Sequence, residues 1–420
     1  MKILVSGILA GAYALAMVAS AEERGSSALW PRHTIDSADK SMGKLGADGV
    51  RLADADSDGL LDVVTGWENG DAIRVCLNPG PEKTKEPWPG FTVGRVAGAE
   101  DAVFCDLDAD GVLDVVSCTE GKTRTVFVHW APHPGGGYSD SASWKTESVP
   151  VLKQQQMWMY CLPFDVNADG RDDLILGSKN EGATVGWLEQ PTQNPRDLST
   201  WRYHSLYEAG WIMSIRADDL DGDGDLDVIF SDRKGNSTGV WWLRNEGKAG
   251  APETGSIFAK PERLGLEGEE VMFVDVADID GDGRLDIAAA IKPDRVALLR
   301  QPKDGVQGAW RESVQMINVP QDRFGTAKAV RVADLDLDGN VDLAVTCENA
   351  MGKLSGCFAI NLSQTDGKFQ AIGYRDISGS EGVKYDRMEL LDLDGDGDLD
   401  LMTCEERTNL GVFWYENPAR

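Results

Sequence analysis

Asp392-Leu393-Asp394-Gly395-Asp396-Gly397-Asp398-Leu399-Asp400 decides the reading of this chain, because the same nine-residue frame occurs seven times. Asp holds positions 1, 5 and 9, Asp or Asn holds 3, and Gly holds 6. The other copies are Asp54, Asp56, Asp58 and Asp62; Asp106, Asp108, Asp110 and Asp114; and Asp165, Asn167, Asp169 and Asp173. They continue with Asp219, Asp221, Asp223 and Asp227; Asp278, Asp280, Asp282 and Asp286; and Asp334, Asp336, Asp338 and Asp342. A composition effect does not place four acids and a glycine at fixed offsets seven times.

The spacing has a chemical reading. Positions 1, 3 and 5 turn short carboxylates to one side of a curving backbone. Gly at 6 permits the angle that closes the turn, and Asp at 9 returns one more oxygen. Four carboxylates within about 5 Å repel by roughly 1 kcal/mol per pair even in water. They stay ionised together when a cation sits among them, and an irregular all-oxygen cage suits Ca2+ better than Mg2+. We therefore expect up to seven structural calcium sites, the one containing the neutral Asn167 being weaker. The first six positions match the opening of an EF-hand loop, but the frame is shorter and its flanks read as strands. The competing reading is a set of acidic turns without metal.

Each frame sits inside a longer unit. An apolar segment such as Val271–Val276 precedes it, and a short run such as Val63-Val64, Val115-Val116 or Val228-Ile229 follows. After a turn comes a second run, as in Gly239–Leu243, and then a last run opened by Phe91, Trp144, Trp201, Phe258, Trp310 or Phe369. Four short strands every 52 to 59 residues predict propeller blades. The orphan run Trp30–Ile35 precedes the first unit, while the last stops after its third strand at Asn417-Pro418. The N-terminal run is thus expected to complete blade seven and remove the exposed edges. The expected blades span about 46–98, 99–152, 153–207, 208–266, 267–320, 321–376, and 377–420 with 29–36, in one domain over 22–420.

This sevenfold pattern resembles the FG-GAP/VCBS-repeat family, whose calcium-loop blades build propellers such as the integrin α-subunit head. The resemblance covers essentially the whole chain after residue 21 and implies an all-β, seven-bladed β-propeller. It is specific for fold and unspecific for function, since adhesion heads, glycan binders and some carbohydrate lyases or dehydratases share it.

The formal charge of −29 belongs largely to the frames, whose four ligand positions supply 27 of the 70 acidic residues. Seven dications would offset about half of it, and the remaining negative charge disfavours nucleic acid. Residues 1–21 read as a secretory leader: Lys2, an apolar run from Ile3 to Met17, and a small-residue cleavage site at Ala19-Ser20-Ala21. No Cys follows to carry a lipid, and no later stretch has the length of a membrane span. The expected location is secreted or periplasmic, and the expected state is monomeric. Seven Cys leave at least one thiol unpaired. Cys347 and Cys357 flank a turn and could bridge, while Cys105, Cys118, Cys161 and Cys404 read as buried small hydrophobes.

By the family precedent, ligands use the face opposite the metal loops, at the turns after strands two and four. Six residues beyond each frame stand Glu68, Glu120, Lys179, Arg233, Lys292, Glu348 and Glu406. Blades three to five thus carry bases, and the other four carry acids. Six residues before each frame stand Asp48, Glu100, Met159, Met213, Met272, Lys328 and Asp386. Trp67, Trp158, Tyr160 and Trp211 occupy neighbouring positions, with Arg387 beside Asp386. This mixture suits a carbohydrate or an exported protein, for instance an acidic sugar stacked on Trp and paired with Arg233 or Lys292. The plainer alternative is solvated turns whose arcs pair with one another.

Only four His are present, at 33, 129, 133 and 204, and none is expected at the mouth, which disfavours a His-metal dehydratase. A lyase built on Lys328, Arg387 and Tyr385 stays open, as does an extracellular scaffold or adhesion protein.

Overall fold

The computed structural model describes residues 29–37, 46–247 and 257–419. The expected leader at 1–21 lies outside the described residues. Seven four-stranded antiparallel sheets make up a seven-bladed β-propeller. In the first blade, β2 (Ala47–Ala53), β3 (Asp62–Trp67), β4 (Ala72–Cys76) and β5 (Gly90–Gly94) pair in sequence order. The same order repeats five times. The seventh sheet takes β1 (Arg32–Asp36) as its outer strand, paired with Gly411–Tyr415.

The first strand of each blade faces the first strands of its neighbours around the centre, and β2 meets Tyr385–Leu391 to close the circle. Second strands are buried at every residue except Glu348. Being covered on both faces, they read as continuous apolar runs rather than alternating ones.

The hydrophobic core consists of slabs between neighbouring blades. Six of seven buried clusters draw on two adjacent blades, and the seventh joins blades five and six with Met213 of blade four. The seam between blades seven and one packs Ile35, Met402 and Trp414 against Val63, Trp67 and Trp88. Across it, Arg74 makes a two-pronged contact with Asp36, at 2.6 and 3.2 Å.

Two expectations need correction. The aromatic residue opens the fourth strand only loosely: Trp144 and Trp201 lie just outside it, and Phe258 forms an isolated bridge to Asn245. Trp310 begins a 3-10 turn ahead of Val314–Asn318. The Cys347–Cys357 bridge does not form. Cys357 pairs across the ladder with Thr346, and all seven thiols are free and buried.

Closure by β1 buries Trp30 and Ile35 and covers a strand edge. Two such side chains contribute about 3–6 kcal/mol by burial alone. A chain beginning at residue 46 is expected to self-associate on size-exclusion chromatography and to melt earlier. Unchanged elution and melting would show that the seam closes without it.

Candidate functional site

Two faces carry the chemistry. On one, the seven frames connect the first and second strands. The Asp58 and Gly59 amides donate to the two carboxylate oxygens of Asp54, at 3.0 and 3.1 Å, and the Leu60 amide donates to Asp58 at 2.9 Å. The bond from the sixth-position glycine to the first Asp is present in all seven loops. Those glycines sit at φ +85 to +98°, and at six of them an added Cβ would meet nothing. Backbone angle, not space, selects glycine there.

The ninth aspartate does something its spacing did not reveal. Asp62 accepts the Ala55 amide on one oxygen and the Asn78 amide on the other, each at 2.7 Å. It ties the second loop residue to the end of the third strand. Five other blades repeat the bond to the third-strand end, and Asp342 takes the Asn361 side chain instead. Four carboxamides extend the tie across a seam to the second loop residue of the preceding blade: Gln190 to Leu107, Asn245 to Val166, Gln301 to Leu220 and Asn417 to Leu335. The ninth aspartate is thus first a brace, with spare lone pairs on its oxygens.

A hard cation fits the remaining donors. Positions 1, 3 and 5 bring carboxylate oxygens within 4.8 Å of one another in blades one, four and five. At the third position one side-chain oxygen, Oδ1, of Asp108, Asn167, Asp221, Asp280, Asp336 and Asp394 is buried with no hydrogen-bond partner. An orphaned buried oxygen in six of seven equivalent places fits an electropositive neighbour such as a hard cation. Some loops recruit protein cations as well. Arg196 meets Asp108, His133 meets Asp110 at 2.8 Å, and Lys85 meets Asp394 at 3.0 Å.

Without metal, burial lifts the ninth carboxyls above the ordinary 3.8. Asp62 and Asp286 rise to about 6. Asp173, Asp227, Asp342 and Asp400 rise to about 7, and Asp114 to about 8. Desolvation is the chief cause, and the amide hydrogen bonds offset part of it. A carboxyl with a raised folded value binds protons more readily folded than unfolded, so its contribution to stability falls as pH rises between the two values. In excess chelator the melting temperature should therefore decline from about pH 5 to about pH 8, measured by calorimetry. A flat or rising profile would contradict the assignment.

On the opposite face a cavity of about 310 Å³ opens at the hub. Glu68, Glu120, Lys179, Arg233, Lys292, Glu348 and Glu406 all line it, and so do Asp48, Glu100, Met159, Met213, Met272, Lys328 and Asp386. The pairing register of every first strand shifts at or just after the earlier set. A bulge lets neighbouring residues face the hub together, so Asp101, Tyr160, Phe273 and Arg387 join the lining. Tyr160 and Arg387 are among the sequence candidates; Asp101 and Phe273 are not, because strict alternation hides a bulge, and Lys384 and Arg407 join from outside the two fixed offsets.

The floor is closed by stacked charge. Arg51 and Arg387 lie 4.2 and 4.5 Å from the Tyr160 ring, and Arg51 grips Asp101 at 2.9 Å. Burial pushes the Tyr160 phenol up, but the two guanidiniums outweigh it and hold the group below its usual 10. At the rim the arcs pair where they meet. Lys179 contacts Glu120 and lies 3.2 Å from Glu100, Lys292 contacts Glu348, and Lys384 contacts Glu406. Arg233 pairs outward with Glu270 at 2.5 Å. Trp211 stands between Lys179, Arg233 and Lys234, whose charges lie 4.3 to 4.8 Å from its ring.

Several sequence candidates lie elsewhere. Trp67 and Trp158 are fully buried in the inter-blade slabs and do not line the cavity. They sit one strand position from ring residues, and one position reverses the face. Tyr385 is buried too, donating to the Glu381 carbonyl at 2.6 Å, so Lys328, Arg387 and Tyr385 do not converge on the cavity. Lys328 pairs with Asp386 at 3.3 Å. His129 is buried between Ser117 and Thr146, its pKa pressed down to about 3 by desolvation. His33 and His204 pack on Trp414 and Trp187.

The chain is similar in fold to BBS1N in two crystal structures of its complex with ARL6DN, one soaked with mercury and one with lead. Each shows 10% identity and a TM-score of 0.49, covering 93% and 92% of this chain and 98% of that one. No curated protein matches it. The sequence matches the FG-GAP-like repeat over residues 35–117, 165–230, 219–289 and 278–345, more than half of the 420 residues. With its acidic corner loops and seven closed blades, the protein belongs to the FG-GAP-like repeat family.

Proposed function

We propose that this protein is an exported monomer, its corners held by calcium, that binds an anionic carbohydrate or protein group in the hub cavity. The observation that carries the reading is the convergence of both charged rings on one recess, with Lys179, Arg233, Lys292 and Trp211 on one side. Among the three cations Arg233 is the natural anchor. Its partner Glu270 is 40% exposed, whereas the acids paired with Lys179 and Lys292 are at most 22% exposed. An incoming carboxylate displaces the most solvated partner at least cost, and it lands beside the Trp211 ring.

A hydrogen bond to a charged group contributes about 1.5–3 kcal/mol. An array of uronate-bearing and neutral glycans, followed by calorimetry on the best binder, should show Arg233→Ala weakening binding by about 10- to 100-fold. Glu270→Gln should leave binding equal or tighter. Loss of binding in Glu270→Gln, or none lost in Arg233→Ala, would move the ligand elsewhere.

A second reading rests on Tyr160. A phenol between two guanidiniums on the floor of an anion-binding recess has the makings of a general base, which fits lyase chemistry on an acidic sugar. Unsaturated-sugar absorbance on incubation with uronate polysaccharides, abolished by Tyr160→Phe, would favour it over simple binding.

A further inference from the structure

Opposite the cationic arc, four carboxylates from blades one and two line the same cavity: Asp48, Glu68, Glu100 and Glu120. One oxygen from each of Glu68, Glu100 and Glu120 lies within 4.8 Å of the others. Lys179 already serves Glu100 and Glu120. The other lysines nearby are engaged, Lys384 with Glu406 and Lys328 with Asp386. Glu68 accepts only a 3.4 Å contact from Asn69. Asp48 is 8% exposed, and among the described residues its side chain has neither hydrogen bond nor ion pair. Among the described residues Lys179 is thus the one ammonium in direct ion-pair contact with these four carboxylates; Lys328 and Lys384 act on Asp48 only at longer range, and its carboxylate is buried without a hydrogen bond.

We propose that Asp48, Glu68, Glu100 and Glu120 form a divalent-cation site in the hub cavity, separate from the corner loops. The donor set is all oxygen, with neither His nor Cys, which selects a hard ion, and flexible Glu side chains suit calcium. A bound dication gives Asp48 and Glu68 the directly contacting counter-charge that Lys328 and Lys384, engaged with Asp386 and Glu406, do not supply, since a buried charge without a close partner is disfavoured. The site rests on its own carboxylates and not on what Arg233 binds, although Lys179 and Trp211 border both.

Equilibrium dialysis against calcium alone tests it, comparing the full chain with Asp48→Asn combined with Glu68→Gln. The variant should bind one equivalent fewer, while Glu270→Gln, which removes the carboxylate paired with Arg233, should bind the wild-type number. A local readout guards against misfolding of the variant. Lys179 touches both Glu100 and Glu120 and lies 4.8 Å from the Trp211 ring, so Trp211 should sensitise terbium bound at this site. Trp211→Phe should remove a component of terbium emission from the otherwise intact protein, and excess calcium should quench that component in wild type. Equal calcium stoichiometry in a folded double variant, or terbium emission insensitive to Trp211→Phe, would overturn the proposal.

Discussion

The pair of amides that each first-position aspartate gathers onto its carboxylate is the interaction on which this architecture turns. It folds a nine-residue corner tightly enough that the ninth aspartate comes back under the loop and clasps the end of the third strand and, in six blades, the second residue. The second loop residue is itself apolar and buried in every blade, from Ala55 to Leu393. Each corner therefore pins three strands and caps a core slab at once. The carboxamides of Gln190, Asn245, Gln301 and Asn417 carry the same clasp over to the next blade.

Such corners concentrate negative charge, and the protein answers it unevenly. Blade two has Arg196 and His133 at its loop, blade five Arg284 and Arg300, blade six Arg375 and blade seven Lys85, while an orphaned third-position oxygen remains in six blades. On our reading calcium supplies the rest. Rigidity at the corners matters for the hub because both ends of each first strand are then fixed, one by the loop and one by the bulged stretch lining the cavity. Charged rims positioned this way discriminate ligands by the match of charge.

The blade frame, the closing strand and both hub rings were legible because each is a periodic signal: a fixed offset from a seven-times repeated aspartate. Features that break the period were not. Trp67 and Trp158 were misread because a one-residue difference along a strand exchanges cavity for core. The bulge that brings Asp101 and Phe273 to the hub leaves no mark in the spacing of apolar residues. The bracing role of the ninth aspartate was invisible because a carboxylate that accepts amides and one that binds metal occupy the same place in the frame. The Arg233–Glu270 pair was missed for another reason: Glu270 lies outside the repeated frame, and only folding brings it to Arg233.

Everything above follows if cations in the corner loops hold the blades to one another. Calorimetric melting of purified protein near neutral pH, titrated with calcium after exhaustive chelation, measures this directly. The account predicts one cooperative transition that climbs with calcium concentration, as binding to the folded state alone requires. A transition that stays put across the titration would contradict it.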